Sequence, residues 1–150
     1  MVKVAISGVA GRMGKAILEN GLLDKNITFT GGLVRPQSES LNKDLGELIQ
    51  QSSIGIRTTD KAEAAFKDAD VIIDFTLPEV LLKNLDFYVA HQKKLVVGGT
   101  GFTKEQKAQL EKAASIIPVV YAPNMSLGIN VCLGLIRQAS KILKEYDAEV

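Results

Sequence analysis

Cysteine and histidine occur once each in the 150 residues, as Cys132 and His91. A single thiol cannot close an internal disulfide and fits a reducing compartment. One thiol and one imidazole cannot assemble a multi-cysteine or multi-histidine metal cluster, and neither residue falls in a recognisable nucleophile motif. Long apolar runs are lacking too: stretches such as Val71-Ile72-Ile73 and Leu95-Val96-Val97 fall far short of the roughly twenty residues that cross a bilayer, which excludes a membrane-spanning chain. Charge of one sign is also missing. Eighteen basic against seventeen acidic side chains give a formal net charge of +1, so no global field draws nucleic acid or an anionic membrane, and any anion site must be local. Met1-Val2-Lys3 leads straight into a strand-like run without a cleavable signal, which predicts a cytoplasmic location.

What is present is the balance of a globular protein, 46% hydrophobic and 23% charged, in a length that suits one ordinary domain. Short β-branched runs alternate with segments of helical period, the pattern of βαβ units around a parallel sheet. Strands are expected at Val2–Ser7, Ile27–Val34, Gly55–Thr58, Val71–Phe75, Leu95–Gly98 and Val119–Tyr121. Most are continuous apolar runs, as where both sheet faces are covered. Helices are expected at Arg12–Leu23, Lys61–Phe66, Glu79–His91, Lys104–Ser115 and Ser126–Tyr146. The fold class is therefore α/β: a Rossmann-like, doubly wound, mostly parallel sheet with helices on both faces. Pro78 suits a first helical turn, Thr103 and Gln106 form a capping box, and Ser126 is placed to cap the last helix. Arg35 to Ser53, rich in Gln, Ser, Asn and Gly, reads as a mobile surface loop with one or two helical turns at Asp44–Ile49. On the last helix Val131, Cys132, Leu135, Ile136, Ala139, Ile142 and Leu143 recur at spacings of three and four, one broad apolar face with Cys132 as an inert core thiol. Asp147 to Val150 looks like the start of another strand.

Between the first strand and the first helix stands Gly8-Val9-Ala10-Gly11-Arg12-Met13-Gly14. A pyrophosphate needs backbone amides pointed at it and no side chain in the way, and glycines at a strand-to-helix turn supply both at the positive end of the helix dipole. Gly8 permits the sharp turn, Gly11 the close approach of the ligand, and Gly14 the tight packing of helix on strand. The spacing is G-x-x-G-x-x-G rather than the commoner G-x-G-x-x-G, with Ala10 at the middle position. An NAD-specific site carries an acidic residue about twenty positions further on. Here that region reads Gly32-Leu33-Val34-Arg35-Pro36, without a carboxylate. Arg35 could face the 2′-phosphate of NADP, assisted by Ser38 or Ser40, or be a solvated side chain at a strand end.

Ligands of open α/β sheets sit outside the carboxyl ends of the strands, where three further segments fall: Asp74 to Glu79, Gly98 to Phe102 and Ala122 to Ser126. Gly98 and Gly99 could admit a nicotinamide ribose, and Asn124 offers an amide for a carboxamide. The structural alternatives are tight turns and caps, with Asp74 ordering its own loop. His91 ends a helix beside Gln92-Lys93-Lys94, where a cation suits the dipole.

Taken together, Val4 to Gly14, Ile73 to Glu79, Val97 to Phe102 and Ala122 to Val131 resemble 4-hydroxy-tetrahydrodipicolinate reductase, formerly dihydrodipicolinate reductase, over its amino-terminal half. The resemblance implies that NADPH or NADH binds through Gly8, Val9, Ala10, Gly11, Arg12 and Met13, with adenine-ribose contacts near Arg35. It also implies nicotinamide contacts from Gly98, Gly99 and Thr100 and from Ala122, Pro123, Asn124 and Met125. Family members commonly carry an acidic residue where Val34 stands. They transfer hydride to a cyclic dicarboxylate in the diaminopimelate route to lysine, and are typically homotetramers assembled through a second domain. A histidine- and lysine-containing signature in that second domain supplies the acid and the substrate contacts. The expected division is a dinucleotide-binding domain over residues 1–125, with 126–150 forming a connecting helix and the start of a substrate domain. The 150-residue chain is expected to bind cofactor without catalysis. Two alternatives are the cofactor domain of another two-domain dehydrogenase, against which the Asp74–Glu79 and Gly98–Phe102 motifs speak, and a stand-alone nucleotide-sensing module.

Overall fold

The computed structural model describes residues 1–144. Its strands are β1 (Val2–Ser7), β2 (Ile27–Leu33), β3 (Thr58–Thr59), β4 (Val71–Asp74), β5 (Lys94–Val97) and β6 (Val119–Tyr121). The helices are α1 (Arg12–Gly21), α2 (Leu45–Leu48), α3 (Ala62–Phe66), α4 (Pro78–Ala90), α5 (Lys104–Ala114) and α6 (Leu127–Ile142). The strands pair in parallel in the order β3-β2-β1-β4-β5-β6. Strand order thus reverses direction at β1, and the carboxyl ends of β1 and β4 lie side by side at the switch point, where a crevice opens.

Alternation along β1 divides the interior into two cores. Val4 and Ile6 join Val9, Leu18, Phe29 and Leu45 on the α1 and α2 side. Ala5 joins Phe66, Ile72, Leu81, Tyr88, Leu95 and Leu110 on the side of α3, α4 and α5. Helices on opposite faces for the two halves are what right-handed crossovers require when the winding reverses. Phe66, Phe87 and Tyr88 interlock as tilted and edge-on rings, a geometry that suits their quadrupoles. Lys93 is buried because its ammonium donates to the carbonyls of Lys67 (2.8 Å) and Ala69 (2.7 Å), satisfying backbone left open after α3.

The local signals act as expected. Pro78 stands in the first turn of α4, the Thr103–Gln106 capping box closes at both ends, and Ser126 Oγ accepts from the Ile129 amide. Helix and strand ends otherwise fall within a few residues of the expected ones. The last helix stops at Ile142; Tyr146 and the strand expected at Asp147 to Val150 lie outside the described residues.

Three expectations are corrected. Gly55–Thr58 does not form the third strand; only Thr58 and Thr59 pair with β2. Residues just before them run beside the α2 entry instead, with Leu45 N donating to Ile56 O at 2.8 Å and Thr58 N to Lys43 O at 2.9 Å. Arg35 to Ser53 is not a loose surface loop either, since Leu45, Leu48 and Ile49 are buried in the core under α1. Cys132 is exposed rather than a core thiol, because no residue of α6 is buried.

Asp44 explains the ordered loop. Its carboxylate is buried and accepts from the amides of Gly46 (2.8 Å), Ile54 (2.9 Å) and Gly55 (2.8 Å) and from Ser53 Oγ (2.9 Å). One side chain therefore ties α2 to a segment ten residues on. These bonds, the Ile54 amide foremost, hold its carboxyl below the ordinary range against the effect of burial. The stability this contributes is present above the unfolded carboxylate range and is lost as pH falls through the depressed native pKa. Asp44→Asn places an amide donor against amide donors and lowers Tm near neutral pH. Thermal unfolding followed across pH checks this, the gap between wild type and variant closing in acid.

Candidate cofactor site

The turn after β1 is held to its neighbour through one carbonyl. Leu33 O, at the end of β2, accepts from both Gly8 N (2.9 Å) and Val9 N (3.2 Å). Gly8 has φ +75°, a conformation open to glycine at no steric cost. Gly11 N then donates back to Gly8 O at 3.0 Å, and the first bond of α1 runs from Lys15 N to Gly11 O at 2.9 Å. Gly14 is where helix meets strand: a Cβ there would lie 2.5 Å from Gly8 O and 2.6 Å from Val9 Cα. Gly14 therefore sets how close α1 comes to the turn.

This leaves the amides of Ala10, Arg12, Met13 and Gly14 with no hydrogen bond among the described residues. Gly11, the N-cap, provides no side chain to occupy them, and no acidic residue stands in the first turn of α1. The positive end of the helix is thus neither capped nor neutralised, and Arg12, exposed beside it, adds a full cation. Unpaired amides in a turn built on glycines at 8 and 11 fit a pyrophosphate.

The other expected residues converge on the same edge, since every strand of the sheet points its carboxyl end there. Arg35 follows two residues after the Leu33 carbonyl that anchors the turn. It is exposed, and its guanidinium has no hydrogen bond or ion pair among the described residues. Ser38 and Ser40 fold the chain beside it, with Ser38 N donating to Arg35 O and Ser40 N to Ser38 Oγ. Gly98 N bonds Asp74 O at 2.9 Å, Gly99 is buried and Thr100 is exposed. Ala122 N extends the β5–β6 pairing by donating to Val97 O, and Pro123, Asn124 and Met125 are exposed beyond it. Asn124 Oδ1 accepts from Ser126 N at 2.9 Å. Its side-chain amide N–H groups have no acceptor among the described residues and are free for a ligand carbonyl. A depression between α4 and α5, lined by Leu85, Val89, Ala113 and Ile116, contains none of these groups.

Beneath the edge lies a polar cluster that sequence reasoning recognised only in part. Asp74, the last residue of β4, is fully buried. Its Oδ1 accepts from Thr76 N (2.9 Å) and Thr76 Oγ1 (2.6 Å), and its Oδ2 from Tyr88 Oη at 3.4 Å. Ser7, its partner in register on β1, is buried with no hydrogen-bond partner for Oγ among the described residues. Burial pushes the Asp74 carboxyl up from its usual range, opposed by the Thr76 bonds, and pushes the Tyr88 phenol up, reinforced by the Asp74 charge. The expectation that Asp74 orders its own loop holds. Ser7 and Tyr88 were not foreseen; Tyr88 sits at an apolar position of α4, where its hydroxyl sends no sequence signal.

His91 stays at the end of α4, its ring stacked on Phe87 and Nδ1 within 2.9 Å of Phe87 O. Because α4 starts at the carboxyl edge of the sheet and runs back along it, His91 lies at the opposite edge from the turn.

A six-stranded parallel sheet in this order, with unpaired amides at the entry to the first helix, defines a nucleotide-binding domain of the Rossmann type. A family model described as dihydrodipicolinate reductase, N-terminus, matches residues 2–125, and the chain belongs to that family. The amino-terminal domain of the family is its NAD(P)H-binding domain. A 4-hydroxy-tetrahydrodipicolinate reductase of Syntrophotalea carbinolica is 40% identical over 151 residues, covering 100% of this chain and 57% of the relative. One of Burkholderia multivorans is 43% identical over 150 residues, covering 99% and 56%. The chain thus spans about half the length of the curated relatives it matches. Among solved structures, dipicolinate-bound dihydrodipicolinate reductase from Paenisporosarcina sp. TG-14 superposes with a TM-score of 0.75 at 24% identity, covering 93% of this chain and 54% of that one. An amine dehydrogenase from Mycobacterium smegmatis gives 0.61 at 21% identity, covering 75% and 36%. These structures share the fold.

Gly14→Ala drives a methyl group into backbone on two sides and destabilises the domain by about 2 kcal/mol or more. Gly134→Ala, in α6 with nothing near the added carbon, leaves stability unchanged or slightly raised. Chemical denaturation of the two variants beside the wild type measures both.

Proposed function

We propose that this chain is the cofactor-binding half of an NAD(P)H-dependent reductase that converts 4-hydroxy-tetrahydrodipicolinate to tetrahydrodipicolinate in the diaminopimelate route to lysine. The observation that carries the reading is the set of unpaired amides at Ala10, Arg12, Met13 and Gly14, found in a chain that belongs to the reductase family. The names of the relatives and the dipicolinate bound to the solved neighbour support a cyclic dicarboxylate as substrate.

Gly8, Val9, Ala10, Gly11, Arg12 and Met13 would hold the pyrophosphate, Arg35 the adenosine end, and Gly98, Gly99 and Thr100 with Ala122, Pro123, Asn124 and Met125 the nicotinamide end. The bound cofactor supplies the hydride; the chain binds and orients it. Without a carboxylate at the end of β2 to hold ribose hydroxyls, and with a free guanidinium in Arg35, the site favours the 2′-phosphate of NADPH. Residues 1–125 form the dinucleotide-binding domain, and 126–150 lead into the substrate domain. The exposed Leu127, Val131, Leu135, Ile136 and Ile142 of α6 support this, as an apolar face that a further domain covers. The whole enzyme is a cytoplasmic homotetramer. Among the described residues no helix is long and apolar enough to cross a membrane.

Reduction of an imine is aided by a proton donor, and a dicarboxylate needs clustered cationic or amide donors. His91 lies at the wrong edge to be that donor, so the 150-residue chain binds cofactor but does not turn over. Calorimetric titration is expected to show tighter binding of NADPH than NADH. Arg35→Ala weakens NADPH by about tenfold or more, the scale of a charge-assisted contact, and leaves NADH nearly unchanged. Equal binding of both cofactors to wild type and variant contradicts the 2′-phosphate contact, and oxidation of NADPH by this chain with substrate contradicts its catalytic silence.

A further inference from the structure

Thr76 stands between the two backbone turns that bracket the cofactor site. Its Cγ2 would lie 2.7 Å from a Cβ on Gly8, and its carbonyl oxygen 2.6 Å from a Cβ on Gly99. The Gly8 turn and the Gly98-Gly99 turn therefore both rest on one residue, each touching it with bare backbone. Phe75, just before it, lies with its ring against Gly98 in the same manner. Asp74-Phe75-Thr76 is thus a wedge between the turn that receives the pyrophosphate and the turn proposed to receive the nicotinamide ribose.

The wedge has its own anchor. Asp74 Oδ1 takes both the amide and the hydroxyl of Thr76, while Oδ2 faces the Tyr88 hydroxyl from α4. Asp74 O holds Gly98 N, and Ser7, immediately before the Gly8 turn, pairs with Asp74 across β1 and β4. The carboxylate is fully buried, so its link to a ligand on the surface runs through Thr76.

Resting on the cofactor-binding reading above, we propose that Asp74 is a positioning residue: by clamping Thr76 it fixes the spacing of the Gly8 and Gly99 turns, so that both ends of a dinucleotide are met at once. A ligand that spans the two turns depends on that spacing, because misplacement by about an ångström forfeits contacts at one end. A ligand confined to the Gly8 and Arg35 side does not.

The test compares NADPH with 2′,5′-ADP, which carries the adenosine end alone, by calorimetry on the 150-residue chain, with thermal unfolding to establish that each variant is folded. Wild type must first bind both; failure there strikes the cofactor-binding reading and not the role of Asp74. Asp74→Ala is expected to weaken NADPH about tenfold while changing 2′,5′-ADP less than about twofold. Asp74→Asn, which keeps an oxygen acceptor for Thr76 and turns the Tyr88 hydroxyl from donor to acceptor, recovers most of the NADPH affinity. If Asp74→Ala does not fold, Thr76→Val, which removes the hydroxyl bonds to Asp74 and to Leu77 O but keeps the amide bond to Asp74, carries the test with an expected loss of about threefold confined to NADPH. An equal loss for both ligands, or unchanged NADPH affinity in a folded Asp74→Ala or Thr76→Val protein, overturns the proposal.

Discussion

The approach of α1 to the end of β1 at Gly14 is the constraint on which the rest of the carboxyl edge depends. With hydrogen in place of a methyl group, Gly14 lets the helix start directly over the Gly8 carbonyl. The turn can then close through Gly11 and hang from Leu33 O. That geometry spends the amides of Gly8, Val9 and Gly11 on the protein and leaves those of Ala10, Arg12, Met13 and Gly14 without a partner among the described residues. The division of labour is not the one that a glycine triplet suggests by itself. Gly8 and Gly11 make room, and the free donors fall on the residues between and after those two.

Two buried carboxylates then shape what surrounds the turn. Asp44 gathers amides from distant positions and converts a polar stretch into a packed wall under α1. Asp74 gathers Thr76 and Tyr88 and sets the wedge between β1 and β5. Their surroundings move them in opposite directions. Donated backbone bonds outweigh burial at Asp44, whereas burial dominates at Asp74. The first carboxylate stabilises the fold in its ionised form. The second bears a desolvation cost, which accords with its proposed role in setting the position of Thr76 rather than adding stability.

Much of this was legible in the residues themselves. Continuous apolar runs and glycine-ended strands revealed the sheet, and Pro78, Thr103 and Ser126 marked the starts of α4, α5 and α6 because capping is chemistry between near neighbours. The convergence of Gly8, Gly98 and Asn124 on one edge followed from parallel strands alone. What escaped was long-range. Gly55 and Ile56 looked like part of a strand, yet Gly55 N bonds the Asp44 carboxylate and Ile56 O accepts from Leu45 N. No local pattern announces a bond across ten residues. Cys132 looked buried because a face of α6 is apolar, but that face packs on nothing within the described residues. Periodicity reports which face seeks burial, not what covers it.

Ala10, Arg12 and Met13 are proposed to present their amides to the cofactor's pyrophosphate. Backbone amide NMR of the isotopically labelled chain during titration with NADPH addresses it residue by residue. The largest downfield shifts, with slowed hydrogen exchange, are expected at Ala10, Arg12 and Met13, and small changes at Gly8 and Val9, whose amides already bond Leu33 O. Saturable binding that leaves Ala10, Arg12 and Met13 unshifted while moving amides elsewhere would contradict it.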